Sequence, residues 1–182
     1  MGDYYQIIAD LDARPEQAET VINRWRDWMV TREIIMPEKT DCVLGEEDGH
    51  APGKNYAQAV MKQSAMLSQL KNNGAQFIAE RTVFYGGAGS FKLMCRQCGA
   101  QFEANDAWSD AVGEWHGGSG PGILACAKCS VKMPITEWQH DPPWAFGNAG
   151  LKFWNWPELR PEFVRQFGEV VGHRVRLVWG KI

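Results

Sequence analysis

The feature that most constrains this chain is a pair of C-x-x-C motifs, which place four of its five cysteines in two short turns. A C-x-x-C turn directs two thiolates at one cation, and a second such turn completes a tetrahedral shell of four sulfur ligands. The pattern predicts one Zn²⁺ per chain, held by Cys95, Cys98, Cys126 and Cys129. Because four thiolates leave no open position for water, we expect the metal to be structural rather than catalytic.

Other chemistry is open to the same cysteines. Two disulfides would need an oxidising compartment. Four thiolates also bind iron, so an iron–sulfur centre is a further alternative. His116 and His140 lie near the motifs in sequence, and each is expected to be a loop or surface histidine. The alternative is that one of them replaces a cysteine ligand or neighbours the ligands. The fifth cysteine, Cys42, stands before two apolar residues and is predicted to be a small buried side chain.

The segment between the motifs is longer than in most zinc sites of this kind, so we expect it to contain structure of its own. Asn105 can cap a short helix, in which Trp108, Val112 and Trp115 recur at helical spacing. The glycine-rich stretch 117–122 predicts a return loop. Gly99, directly after the first motif, permits the positive φ that a tight turn often requires.

With Gly99 following Cys98, the two motifs resemble the zinc-ribbon class over residues 95–129. The resemblance implies a bound zinc but no single role, because zinc ribbons bind nucleic acid, bind protein or brace a fold. More loosely, the chain is similar to small bacterial cytoplasmic proteins, including immunity proteins that neutralise toxins. Small size, acidic charge and many aromatic residues carry that second resemblance, which implies no particular functional residue.

Each end of the chain shows a strand, a helix and a second strand in succession. Near the N-terminus, Val21, Trp25 and Met29 recur at helical spacing. Near the C-terminus, Pro161 opens a helix that Gly172 ends. The strands predicted around these helices are residues 4–9, 34–36, 151–156 and 173–179.

The middle of the chain is predicted to contribute four further pieces. Residues 45–55 contain several glycines and a proline, which predict a loop. The spacing of apolar residues over 56–70 predicts a helix. Residues 76–85 alternate in polarity and predict a strand, and residues 91–94 predict a short one after a glycine turn.

Together these elements predict an α+β fold, a helix-backed sheet built from two β-α-β-like units, with an inserted zinc ribbon. Residues 1–94 and 135–182 are expected to form the α+β core domain, and residues 95–134 the inserted module. A chain of 182 residues is long enough to bury such a core.

Composition narrows the range of functions. A net charge of −3 argues against a surface built throughout for nucleic acid or anionic lipid. No apolar run reaches the ~18 residues that a membrane-spanning helix needs, and the first residues lack the pattern of a secretory signal. We therefore expect a cytoplasmic protein with no membrane partner.

Charge and aromatic content together suggest a protein partner. Residues 1–50 carry 12 acidic and 5 basic residues, and the acidic run Glu46-Glu47-Asp48 would favour a basic surface, although a solvated loop explains it equally well. Four tryptophans near a stiff proline pair are candidate anchors for the same partner, unless they are buried in the sheet. These four are Trp138, Trp144, Trp154 and Trp156.

The leading hypothesis is a non-catalytic, zinc-binding protein-interaction module, such as an inhibitor or immunity-type protein that occludes its partner. The alternative is a zinc ribbon that binds nucleic acid through basic side chains and nearby tryptophans. The basic residues are Arg96, Lys128, Lys132, Arg174 and Arg176. No motif of a known catalytic type is present in the sequence, so we expect no enzyme activity. A hydrolase or transferase would need a cleft that gathers Asp10, Asp12 and a histidine.

Overall fold

A computed structural model describes residues 2–87 and 89–182. Within these residues the fold is α+β, with three α-helices and mostly sheet. No helix in the described part of the chain combines the length and apolar character that crossing a bilayer demands.

The main sheet has six strands, and every neighbouring pair in it is antiparallel. The strands in order across the sheet are β13 (Val175–Lys181), β1 (Tyr4–Asp10), β12 (Ala149–Trp154), β4 (Ala75–Ile78), β3 (Gly49–Pro52) and β2 (Ile35–Thr40). The first strand of the chain is thus central, and β12 and β13 flank it. The first strand after the N-terminal helix, β2, lies at the opposite edge of the sheet from β13.

Two helices cover one face of this sheet. Helix α1 (Ala18–Thr31) buries Val21, Trp25 and Met29, the apolar stripe that its sequence predicts. Helix α3 (Pro161–Val171) has proline in its first turn and ends at Gly172, whose φ of 79° is the left-handed conformation that glycine adopts readily. The Trp25 Nε1–H donates to the Phe167 carbonyl oxygen at 3.0 Å, which joins the two helices.

A two-stranded ribbon lies against the other face of the sheet. It pairs β5 (Thr82–Phe84) with β11 (Ala145–Gly147). Side chains alternate along the ribbon: Phe84 and Ala145 pack with the sheet, whereas Val83 and Phe146 join a separate apolar cluster beyond it. The ribbon therefore connects the sheet to a second core.

This second core belongs to the cysteine-containing region. It holds helix α2 (Asp106–His116), a three-stranded sheet of β10 (Gln139–Asp141), β6 (Lys92–Met94) and β7 (Gln101–Glu103), and a pair of β8 (Ile123–Ala125) with β9 (Lys132–Pro134). Asn105 caps α2 by accepting a hydrogen bond from the Trp108 N–H at 3.0 Å. The cluster also includes Leu93 and Phe146, so apolar packing continues beyond residues 95–134 on both sides.

The structure corrects three local predictions. The segment 45–55 contains strand β3 rather than only a loop, and residues 76–85 are two strands in different sheets. Residues 56–70 do not form one helix; they contain the short 3₁₀ turns Tyr56–Gln58 and Leu67–Gln69. Val60 forms an isolated β-bridge with Leu159. This pairing with a distant segment of the same chain takes the place of the i→i−4 hydrogen bonds of a helix.

Candidate metal centre

Each C-x-x-C motif closes a hairpin with the same tight turn, between β6 and β7 in the first case and between β8 and β9 in the second. The Gly99 N–H donates to the Cys95 carbonyl oxygen at 2.8 Å, and the Ser130 N–H donates to that of Cys126 at 2.9 Å. Both donor residues have positive φ, 68° at Gly99 and 60° at Ser130. The turns are therefore equivalent, and Gly99 adopts the conformation that the sequence predicts.

The two turns bring their sulfur atoms together. The four Sγ atoms of Cys95, Cys98, Cys126 and Cys129 all lie within 4.8 Å of one another. Across the turns, Cys95 Sγ is 3.8 Å from Cys129 Sγ, and Cys98 Sγ is 3.7 Å from Cys126 Sγ. Tetrahedral zinc with Zn–S bonds of 2.3 Å requires sulfur atoms about 3.8 Å apart. The cluster therefore has the dimensions of a site for one metal ion.

The same distances exclude disulfides in this structure, because a disulfide bond joins sulfur atoms about 2.0 Å apart. All five cysteines are free thiols. Cys42 is buried, as predicted, at only 6% exposure.

A divalent cation would allow all four cysteines of the cluster to be ionised together. Burial opposes ionisation of Cys126, but N–H groups of Cys129 and Lys128 donate hydrogen bonds that lower the pKa of the Cys126 thiol to about 6. The Val131 N–H acts in the same sense on Cys129, but burial and the neighbouring sulfur atoms outweigh it and raise the pKa of Cys129 to about 12. Four thiols this close do not all ionise unaided, whereas a divalent cation compensates the charge of the thiolates.

Neither histidine near the motifs belongs to the four-sulfur cluster. His116 is exposed at the end of α2. The expected surface position of His140 is wrong, because this residue is only 8% exposed and stacks on Trp144, with ring centroids 5.6 Å apart. Burial, with the positive charge of Arg176, lowers the pKa of His140 to about 4. His140 is thus a neutral core residue of the module.

The expectation that four tryptophans are presented outward is wrong. Trp138, Trp144, Trp154 and Trp156 are only 2% to 9% exposed. Trp138 and Trp144 lie in the second core, and Trp154 and Trp156 pack against the two faces of the sheet. Sequence cannot distinguish these rings from surface anchors, because each ring is covered by segments that lie far from it in the chain. The tryptophan that is exposed is Trp179, at 53% on the edge strand β13.

The acidic run lies in the turn between β2 and β3. Glu46 and Glu47 are exposed, whereas the Asp48 carboxylate accepts hydrogen bonds from Lys39 Nζ at 2.7 Å and from Gln76 Nε2 at 3.2 Å. The structure therefore leaves two of the three carboxylates free of these contacts. They lie at the sheet edge farthest from β13.

The structure brings together three of the five basic residues considered for nucleic-acid binding. Arg96, Arg174 and Arg176 line one cleft of about 530 Å³, between the cysteine-containing region and the six-stranded sheet. Lys128 and Lys132 are exposed elsewhere on the module.

One of the two aspartates named for an enzyme, Asp10, does contact a histidine. Asp10 is fully buried, and its Oδ2 lies 2.8 Å from His173 Nδ1. Asp12 turns away and pairs with Arg174. Sequence reasoning missed His173 as the partner because 163 positions separate it from Asp10 and only the pairing of β1 with β13 brings them together. The contacts of Asp10 hold the loop after β1, since it also accepts from the Asp12 and Ala13 N–H groups.

Comparison with known proteins adds no relative: no family model, no curated protein and no solved structure matches the chain.

Proposed function

We propose that this chain is a zinc-braced binding protein, in which one Zn²⁺ held by Cys95, Cys98, Cys126 and Cys129 has a structural role. The observation that carries the proposal is the approach of four Sγ atoms to within 4.8 Å of one another. When bound, zinc supplies a link between two hairpins and no reactive position. The four cysteine side chains orient the hairpins, and α2 packs against the second of them, at β8.

The module needs such a link because its elements are short. Strands of three residues, as in β6 to β9, form few ladder bonds, and a two-stranded hairpin is marginal on its own in water. A zinc shell with four thiolates adds several kcal/mol or more to folding in small modules of this kind. The module then presents its outer surface in a fixed position relative to the six-stranded sheet.

Metal analysis of reduced, freshly purified protein tests this proposal. We expect about one zinc and no iron per chain, and the Cys98→Ser variant is expected to lose the metal. Protein that carries no metal, or that carries iron with the absorption bands of an iron–sulfur centre, would overturn the zinc assignment.

We further propose that the chain acts by binding a protein partner with a basic surface, as an inhibitor or immunity-type protein does, in the reducing cytoplasm. The exposed carboxylates of Glu46 and Glu47 support this proposal, because they present negative charge in the β2–β3 turn, where a basic surface could contact them. The buried tryptophans are no longer part of it.

The partner proposal is tested by affinity capture from the native host under moderate salt, with quantification of each recovered protein. Replacing both Glu46 and Glu47 with lysine is expected to lower recovery of a stoichiometric partner. The matched control replaces Glu19 and Glu162 with lysine, because these exposed acidic residues on α1 and α3 give the same change in net charge. Equal recovery by all three proteins would exclude the β2–β3 turn as the contact surface.

A further inference from the structure

The cleft between the metal module and the sheet is lined by positive charge from two distant parts of the chain. Arg96 lies inside the first C-x-x-C turn, whereas Arg174 and Arg176 come from the start of β13. The lining also includes Trp115 from α2 and Asn148 from the segment after β11. The cleft therefore exists only where the module meets the sheet.

The charges of the cleft are only partly compensated. Arg174 is paired with Asp12, and Glu137 also lines the cleft. Among residues 2–87 and 89–182, however, neither Arg96 nor Arg176 has a carboxylate oxygen within 4.0 Å. Two guanidinium groups in the same cleft thus lack an ion-pair partner.

Burial and the neighbouring positive charges both act on Arg176. It is half-buried, and its Nη1 donates to the Trp144 carbonyl oxygen at 2.7 Å, which holds the side chain in the cleft. Burial lowers the pKa of Arg176, and the charges of Arg96 and Arg174 lower it further. Like charges facing one another across a cleft are stabilised when an anion enters between them.

We propose that this cleft binds a phosphate group, carried by a small phosphate ester or by a nucleic-acid strand. A phosphate has several peripheral oxygens and up to two negative charges, so it can engage Arg96 and Arg176 together, whereas one carboxylate is matched by a single guanidinium. The volume of about 530 Å³ is that of a small-molecule site. The acidic β2–β3 turn lies five strand spacings away, ~24 Å, and does not oppose the anion.

The inference rests on the proposed metal centre, because Arg96 is placed by the turn that Cys95 and Cys98 form. Phosphate binding is therefore expected to require the metal-loaded protein. Different results would refute the two proposals. Protein that carries no zinc refutes the metal centre, whereas zinc-loaded protein that does not bind phosphate refutes only the phosphate site in the cleft.

Isothermal titration of the full, zinc-loaded chain tests the cleft, with inorganic phosphate, adenosine monophosphate and a short single-stranded RNA as separate probes. Arg96→Gln and Arg176→Gln are each expected to weaken binding about tenfold or more, since each removes charged hydrogen bonds to the phosphate. Arg96 is exposed, so its variant is expected to fold even if Arg176→Gln destabilises the protein. Lys128→Gln is the matched control, because it removes the same charge from the second turn outside the cleft.

The arms of the titration separate the sources of phosphate. Tighter binding of RNA, with an affinity that falls steeply with salt, supports a nucleic-acid strand, and tighter binding of the mononucleotide supports a small ester. The proposal is overturned if none of the three probes binds, if glutamate competes as well as phosphate, or if Lys128→Gln loses as much affinity as Arg96→Gln.

Discussion

The Sγ atoms of Cys98 and Cys126 lie 3.7 Å apart across two hairpins that share no strand pairing. The sulfur cluster is thus a side-chain contact between two hairpins that are not paired through backbone hydrogen bonds. Since no strand pairing joins these two hairpins in the described part of the chain, loss of the metal should affect this region more than the six-stranded sheet.

Cys98→Ser is expected to release the metal and to loosen residues 95–129, because three thiolates and a hydroxyl hold zinc more weakly. Hydrogen exchange should show faster amide exchange there, with protection retained in β1, β12 and α3, which have their own core. Cys42→Ala is the control, since Cys42 lies outside the cluster. Uniform loss of protection across the chain would refute this regional effect.

Gly99 and Ser130 occupy equivalent positions with positive φ, so substitutions there are expected to have opposite effects. Gly99→Ala should destabilise the zinc-loaded protein by roughly 1–2 kcal/mol, which is the cost of placing a residue with a Cβ atom in the left-handed conformation. A Cβ at Gly99 meets nothing within 4 Å, so the effect is conformational rather than steric. Ser130→Gly should stabilise by less than about 1 kcal/mol, because relief of strain exceeds the entropy that glycine loses.

Urea unfolding of both variants, zinc-loaded and at one pH, measures these changes. Destabilisation by both substitutions would mean that the Ser130 side chain contributes contacts that outweigh its backbone strain.

Local patterns in the sequence predict much of this fold. The spacing of Trp25 with Met29, the proline at 161 and the cap at Asn105 locate the three helices, because each signal acts within a few residues. The four cysteines that could hold a metal ion follow in the same way, since each turn contains its own pair of cysteines. Such signals need no knowledge of the rest of the chain.

Features that depend on distant pairing escaped prediction. Val60 resembles a helical residue but bridges to Leu159, and Trp144 resembles a surface anchor but is covered by the module. The arginine cleft likewise forms only because β13 begins beside the first cysteine turn. In each case the deciding contact joins segments that no local periodicity relates.

The buried Asp10 carboxylate is expected to be the most sensitive polar position of the sheet. It accepts from the Asp12 N–H at 2.9 Å, from the Ala13 N–H at 2.7 Å and contacts His173. Asp10→Ala leaves two N–H groups without an acceptor and should cost about 3 kcal/mol in chemical denaturation. Asp10→Asn keeps an acceptor oxygen and should cost less.

Asp27→Ala is the control for that comparison, because the exposed Asp27–Arg26 ion pair contributes about 0.5 kcal/mol or less. If Asp10→Ala is as mild as Asp27→Ala, the hydrogen bonds of Asp10 do not hold the loop after β1.

His140 gives the module a predictable dependence on pH. Neither ring nitrogen has a hydrogen-bond partner within the described residues, and the ring is enclosed by Trp144, Phe91 and Phe146. Folding therefore holds the imidazole neutral, with a pKa of about 4 against an ordinary value of 6.5. The unfolded chain takes up a proton below pH 6.5, whereas the folded chain does so only near pH 4.

Above pH 6.5 His140 is neutral in both states, so its titration does not change the free energy of unfolding. As the pH falls from 6.5 towards 4, protonation of the unfolded chain lowers that free energy by about 3 kcal/mol in all. His140→Phe keeps the stacking on Trp144 and removes the titrating group, so its free energy of unfolding should fall less over this interval. Since the thiolates also take up protons in acid, the measured quantity is the difference between wild type and variant at each pH, from urea unfolding in excess zinc. His116→Phe, at an exposed position, should follow the wild type. Parallel curves for wild type and His140→Phe would show that protonation of His140 does not oppose folding.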